Sequence, residues 1–273
     1  MSITEHEFME EISDIIIEYD KNLRAEVELR LNNWTFDHES SAMHNVISGL
    51  LSRQTAITLE VMGSPPILHG VVIHIILRSM IDVYLTMAWI FHSDSENRAQ
   101  KFIDYGVGQE KMMKDFREAE LKSLGINPDE DPGIRASNML INIMKTEELV
   151  DVNIGNWSGL NARQMAEESG NLSFYNLTYL PFTQDVHSNW PCIVRFNLAP
   201  CNSPLHKLHF VGDLKGVKSA FHLNLRNVLK YMDKVLTLFD KNIKTDLSSI
   251  KKPASDILRS RMKTLMGKIK ENE

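Results

Sequence analysis

Residues Ile67 to Phe91 form one apolar stretch, ILHGVVIHIILRSMIDVYLTMAWIF, interrupted in its middle by Arg78 and Asp82, one helical turn apart. A helix that is apolar on nearly every side has to be buried. A cation and a carboxylate inside it persist only where each is paired or serves a site. The stretch is also long enough to cross a bilayer, for which about 20 apolar residues suffice. Arg78, Asp82, His69 and His74 lie inside it, however, and polar helices flank it. The expectation is therefore a buried central helix over about 67–91 rather than a membrane span.

Helical periodicity covers most of the remaining chain. Thr4 and Glu7 fit a capping box, and Phe8, Ile12, Ile15, Ile16, Tyr19 and Leu23 then recur on one face of a helix reaching about Leu31. A second helix, about Glu39 to Val61, stops at Gly63, and Pro65 and Pro66 open the central one, where a missing N–H costs nothing. Asp94 or Ser95 caps a fourth, with Phe102, Tyr105, Met112, Met113 and Phe116 as its apolar face, ended by the Pro- and Asp-rich segment 125–133. A shorter helix spans about Ile134 to Leu149. The segment of about 150–213, broken by Gly155, Gly159, Gly170, Pro181, Pro191, Pro200 and Pro204, reads as short helices and turns. From Leu214, the residues Val217, Phe221, Leu225, Val228, Met232, Val235 and Phe239 mark a long amphipathic helix, and a last one covers about Pro253 to Ile269. Only His206–Val211 reads as a strand, and there is no internal repeat. The fold class is thus all-α, a multi-helix bundle around the central helix, taken as one domain over 1–273 with a basic helical extension at 253–273.

The net charge of -6 and a pI near 5.9 exclude a surface that is basic throughout, while leaving room for a local basic groove. The first twenty residues carry Glu and Asp where a secretory signal has a basic region and an apolar core, so a cytoplasmic protein is expected. The glycosylation patterns at Asn33, Asn156, Asn171 and Asn176 are then chance matches. The tail from Lys251 holds seven Lys or Arg against three acids. Its expected role is a solvated basic face whose apolar side packs on the domain or at a homodimer interface.

RSMIDVYLTMAWIF, with Arg78 and Asp82, is followed by YNLTYLPFTQDVHSNW, with Tyr175, Tyr179, Asp185 and His187. Over about residues 67–190 this pairing resembles the bacterial family known as domain of unknown function 5677. Its members typically show an Arg, an acidic residue one turn on, and a later Tyr-rich helix ending in a polar-Val-His motif. This chain departs from the pattern by carrying Asp82 where Glu is usual. The resemblance implies an all-helical fold and leaves the activity open.

Two functions suit these residues. In the first, Arg78, Asp82 and His187 form an architectural polar network that ties the central helix to 175–190, and the protein is a binding or interaction component, or an effector component of a defence or toxin system. In the second it is a metal-independent ribonuclease-like effector. His187 would move protons, Arg78 would stabilise a pentacoordinate phosphate, and Asp82, Asp185 and Tyr179 would support them. The Arg-then-His motif of the HEPN ribonucleases does not occur; the nearest spacing, Lys215 to His222, has Lys in the Arg position. The partners expected are a second copy or another protein, or RNA or another nucleic acid, with no membrane and no cofactor.

Cys192, Cys201, His206 and His209 lie within eighteen residues. Thiolates and imidazoles are zinc ligands, and His206 and His209 are near enough to share an ion. Eight residues separate the cysteines, where structural zinc sites have two to four, so the expectation is free thiols with no metal. His69 and His74 point to different sides of the central helix and read, like His38 and His44, as ordinary polar contacts. No phosphate-binding Gly-rich loop, nucleophile elbow or His-Glu-x-x-His is present.

Overall fold

The computed structural model describes residues 5–144, 156–214 and 221–270. The elements are α1 (Glu5–Asn32), α2 (Ser41–Met62), α3 (Val72–His92), α4 (Ser95–Ser123), α5 (Pro132–Met144), α6 (Ala162–Glu168), α7 (Leu172–Phe174), a π-helical turn (Tyr175–Tyr179), α8 (Leu180–Val186), α9 (Trp190–Phe196), β1 (Leu198–Pro200), β2 (Phe210–Gly212), α10 (Phe221–Ile243) and α11 (Ala254–Lys270). The fold is all-α apart from the β1–β2 hairpin. Thr4, residues 145–149 of the expected fifth helix, Lys215 and Val217 lie outside the described residues.

The central helix starts five residues later than its apolar composition predicts. Pro65–His69 forms a 3-10 turn closed by Gly70, whose N–H donates to the Ile67 carbonyl at 3.2 Å in extended backbone (φ -97, ψ 179), and this breaks the run before Val72. The Leu68 carbonyl freed by the break accepts from Asn224 Nδ2 of α10 at 2.8 Å. Burial of α3 is one-sided. Ile73, Leu77, Met80 and Ile81 are fully covered, whereas Val72, Ile75, Ser79 and Asp82 form an exposed stripe.

The chain divides into two compact units, with boundaries inside α2 and inside α3. The first comprises Met1–Thr35, Ser48–Ala88 and Asn171–Glu273. Its core joins Ile15, Tyr19 and Leu23 of α1, Ile73, Leu77, Met80, Ile81 and Leu85 of α3, Val228, Val235 and Phe239 of α10, and Leu258 of α11. Each such side chain contributes roughly 1.5–3 kcal/mol of apolar transfer energy. A buried ion cluster lies here. Arg30, 5% exposed, makes a bidentate pair with Asp240 at 2.7 and 2.8 Å and reaches Glu26 at 3.4 Å; Glu26 in turn accepts from the Ala254 N–H that opens α11. Burial pushes the Glu26 carboxyl up despite these donors.

The second unit comprises Phe36–Ile47 and Trp89–Gly170. Glu96 accepts from the Ala42 and Met43 N–H groups at 2.9 and 2.8 Å, satisfying the first turn of α2. Asp94, one of the two residues expected to cap α4, holds the cap position, but in a left-handed backbone (φ 47), and its side chain accepts from the Asn97 side chain at 2.9 Å rather than from a helix N–H. Trp157 packs edge-on against Trp89 and Phe102, with centroids 5.2 and 4.9 Å away. α4 and α5 are clasped by Arg117 and Asp131 at 2.7 and 2.9 Å, and Asp131 also accepts from the Ile134 N–H.

Candidate functional site

His74, Arg78 and Asp82 recur every fourth residue of α3, so their side chains stack along one strip of the helix. Within the first unit that strip meets the segment from Tyr175 to Asp185, running antiparallel, as the pairs Tyr84–Asn171, Arg78–Thr183 and His74–Asp185 show. The facing segment owes its shape to Pro181. With no N–H to offer the Leu177 carbonyl, the preceding turn widens to a π-turn, in which Leu180 N donates to Tyr175 O. The wide turn leaves Tyr175 and Tyr179 stacked at 4.5 Å and 26°.

Arg78 lies across this platform. Its Cζ sits 3.2 Å from the Tyr179 ring centroid, its Nε donates to Thr183 Oγ1 at 3.1 Å, and its Nη1 donates to Asp82 Oδ2. The Arg78 side chain is 13% exposed and that of Asp82 is 51% exposed. The two were expected to be buried together, and in the folded chain only the cation is covered, because Asp82 belongs to the solvent-facing stripe of α3. Desolvation still pushes the Asp82 carboxyl up against the opposing pull of Arg78, and burial, then the charge of Asp82, pushes the Tyr179 phenol up.

One turn earlier, His74 Nδ1 lies 2.8 Å from Asp185 Oδ2, with the Asp185 side chain 2% exposed. The ring N–H is not aligned for a hydrogen bond, and Asp185 Oδ1 has no partner among the described residues. A buried carboxylate left short of partners in a native fold calls for a functional or solvent explanation. Phe182 and Phe196 flank the imidazole at 5.3 and 5.5 Å. The Cys192 thiol is pushed up to about 11, by burial first and then by Asp185.

Of the residues expected to form the site, Arg78, Asp82 and Tyr179 meet, and Asp185 lies in the same seam facing His74. His187 does not join them. It is exposed at the end of α8, and its ring makes no hydrogen bond to the described residues. His74 and Thr183 were missed, although the four-residue spacing from His74 to Arg78 is the signal that finds His74. The four suggested metal ligands separate as well. Cys192 is buried beside Asp185, while the ligand atoms of Cys201, His206 and His209 lie within 4.8 Å of one another in the β1–β2 loop.

An all-α chain with a polar seam between its central helix and a π-interrupted helix is the class defined so far. The chain belongs to DUF5677, a family of unknown function whose model matches residues 44–202. Every residue of the seam falls inside that segment; of the hairpin cluster only Cys201 does. Neither a curated protein nor a solved structure matches the chain.

Proposed function

We propose that this chain is a binding component of a bacterial effector of the defence or toxin kind, and that its α3–α8 seam receives an anionic group, the phosphate of an RNA strand, on Arg78. One observation carries the reading. The guanidinium is positioned in advance, over the Tyr179 ring at 3.2 Å and held at Nε by Thr183, while its carboxylate partner Asp82 stands half in solvent. Fixing the cation beforehand reduces the entropy lost on binding, and a planar guanidinium suits a phosphate. An ion pair with so exposed a partner contributes little, so exchanging Asp82 for a phosphate costs little. With a net charge of -6 the attraction is local to the seam.

A second reading, metal-independent RNA cleavage, is favoured by the His74–Asp185 pair. A buried carboxylate lies 2.8 Å from His74 Nδ1, and a small rotation of the ring on substrate binding would align that N–H with it and leave Nε2 for proton transfer, as a general base requires. The 2′-hydroxyl proton would pass to His74 Nε2 as the oxygen attacks phosphorus. The 5′ oxygen would leave with a proton from water, giving a 2′,3′-cyclic phosphate, and Arg78 would offset the charge on the intermediate. His74 thereby takes the part expected of His187.

Fluorescence anisotropy with a labelled single-stranded RNA tests the first reading, and a cleavage gel on the same samples tests the second. Wild type is expected to bind, Arg78→Gln to lose at least about tenfold in affinity, and His187→Ala to bind as wild type. Cleavage lost in His74→Gln with binding retained supports the second reading. Failure of folded wild type to bind RNA overturns both.

A further inference from the structure

We propose that the loop of the β1–β2 hairpin is a binding site for a zinc-class divalent cation, with Cys201, His206 and His209 as its ligands. The hairpin pairs Leu198 with Gly212, Ala199 with Val211 and Pro200 with Phe210, and Cys201 N extends the ladder by donating to His209 O at 2.9 Å. The first and last ligands therefore face each other across the neck of the loop. The middle ligand is brought in by two tight turns, in which His206 N donates to Ser203 O at 3.1 Å and His209 N to His206 O at 3.2 Å. Leu208, between the two histidines, takes a left-handed backbone at φ 63, a conformation that costs a Leu energy and that brings His209 back towards His206.

One edge of the cluster already has the length of a metal polyhedron's edge, and the other ligand atom is near enough to close on the same ion by side-chain rotation. Cys201 Sγ lies 3.6 Å from His206 Nδ1. A tetrahedral zinc with Zn–S of about 2.3 Å and Zn–N of about 2.05 Å places sulfur and nitrogen about 3.6 Å apart, the length of that polyhedron's edge. A thiol hydrogen bond to one imidazole accounts for this distance but not for His209. The His209 ring stands 67° to that of His206 with centroids 5.5 Å apart, and all three ligand atoms lie within 4.8 Å of one another. One thiolate and two imidazoles form a donor set for zinc, and cobalt(II) is its spectroscopic substitute; carboxylate-seeking calcium and magnesium are excluded by the same donors. Cys201 is half-buried and both histidines are exposed, so the fourth position opens to solvent and takes water or a side chain from a partner. The backbone sets the positions of all three ligands, and the site needs no rearrangement of the helices.

The test uses the full chain, reduced, stripped of metal with a chelator, and titrated with zinc by calorimetry and with cobalt(II) by absorption. The expected result is one zinc per chain, with proton release as the thiol ionises, and a cobalt spectrum showing both a thiolate charge-transfer band and the intense visible bands of tetrahedral coordination. Cys201→Ser should remove the charge-transfer band, and His209→Ala should weaken zinc binding on the order of 100-fold. His222→Ala, outside the cluster, should bind as wild type. Far-ultraviolet circular dichroism of the metal-free variants should equal that of wild type, since the substitutions fall on a loop. Sub-stoichiometric zinc, an octahedral cobalt spectrum without the thiolate band, or a folded Cys201→Ser or His209→Ala variant that binds as wild type overturns the proposal.

Discussion

Replacing Arg78 with Met removes the charge and the donors but keeps most of the aliphatic stem, so the loss of stability can be worked out from three contacts. The hydrogen bond from Nε to Thr183 Oγ1 is worth about 1 kcal/mol, and Thr183 keeps its own bond to the Tyr179 carbonyl at 2.8 Å. The cation over the Tyr179 ring at 3.2 Å adds about 1 kcal/mol. The ion pair with Asp82 adds no more than about 0.5 kcal/mol, because half of the carboxylate's surface faces water, which takes over much of its solvation when the partner is removed. The expected cost is about 2 kcal/mol, a fall of roughly 5 °C in Tm for a cooperative unit of this size. Urea melts of the wild type, Arg78→Met, Asp82→Asn and the double variant measure it, and the pairwise coupling should come out below about 1 kcal/mol. A loss above about 4 kcal/mol would mean that the pair is closed off from water, and no loss at all would mean that the seam does not hold α3 to α8. Either result refutes the reasoning.

Arg30→Ala should cost more, about 3–5 kcal/mol in the same melts, because it strands the buried Glu26. Asp131, held down to about 2 by Arg117 and the Ile134 N–H, should make Asp131→Asn less stable than wild type at neutral pH. The stabilisation is complete above the ordinary carboxylate range and is lost as pH falls towards about 2, so the gap between the two melts should close over that window. Cys192, buried and pushed up to about 11, should resist a thiol-specific reagent in the native chain, while Cys201 reacts first and both react in denaturant; equal native rates would contradict the burial.

Much of this architecture is written in the 3.6-residue period, and what escapes it has identifiable causes. The faces of α1 and α10 are legible because Ile15, Tyr19 and Leu23, and Val228, Val235 and Phe239, recur at helical spacing. The start of α3 is not legible, since Gly70 interrupts apolar sequence on both sides and composition cannot register an extended glycine. The hairpin was half legible. A strand is expected at His206–Val211, but among the described residues the paired strand is Phe210–Gly212, extended by the single bond from Cys201 N to His209 O, and its three-residue partner is too short to alternate. Arg30, Glu26 and Asp240 sit on amphipathic helices where charges read as solvated. Their convergence depends on how α1, α10 and α11 meet, as the approach of His74 to Asp185 depends on how α3 meets α8.

The central claim, that Arg78 is held ready for a phosphate and Asp82 is the group that gives way, makes a prediction of opposite sign for two neighbouring residues. Anisotropy titrations of one labelled single-stranded RNA against wild type, Asp82→Asn and Arg78→Gln, at fixed salt and with folding checked by circular dichroism, test it directly. Asp82→Asn should bind more tightly than wild type, by roughly 2–10-fold as a competing carboxylate is removed, and Arg78→Gln more weakly. Folded Asp82→Asn and Arg78→Gln proteins that bind RNA equally well, or equally poorly, would contradict it and leave the seam an architectural joint.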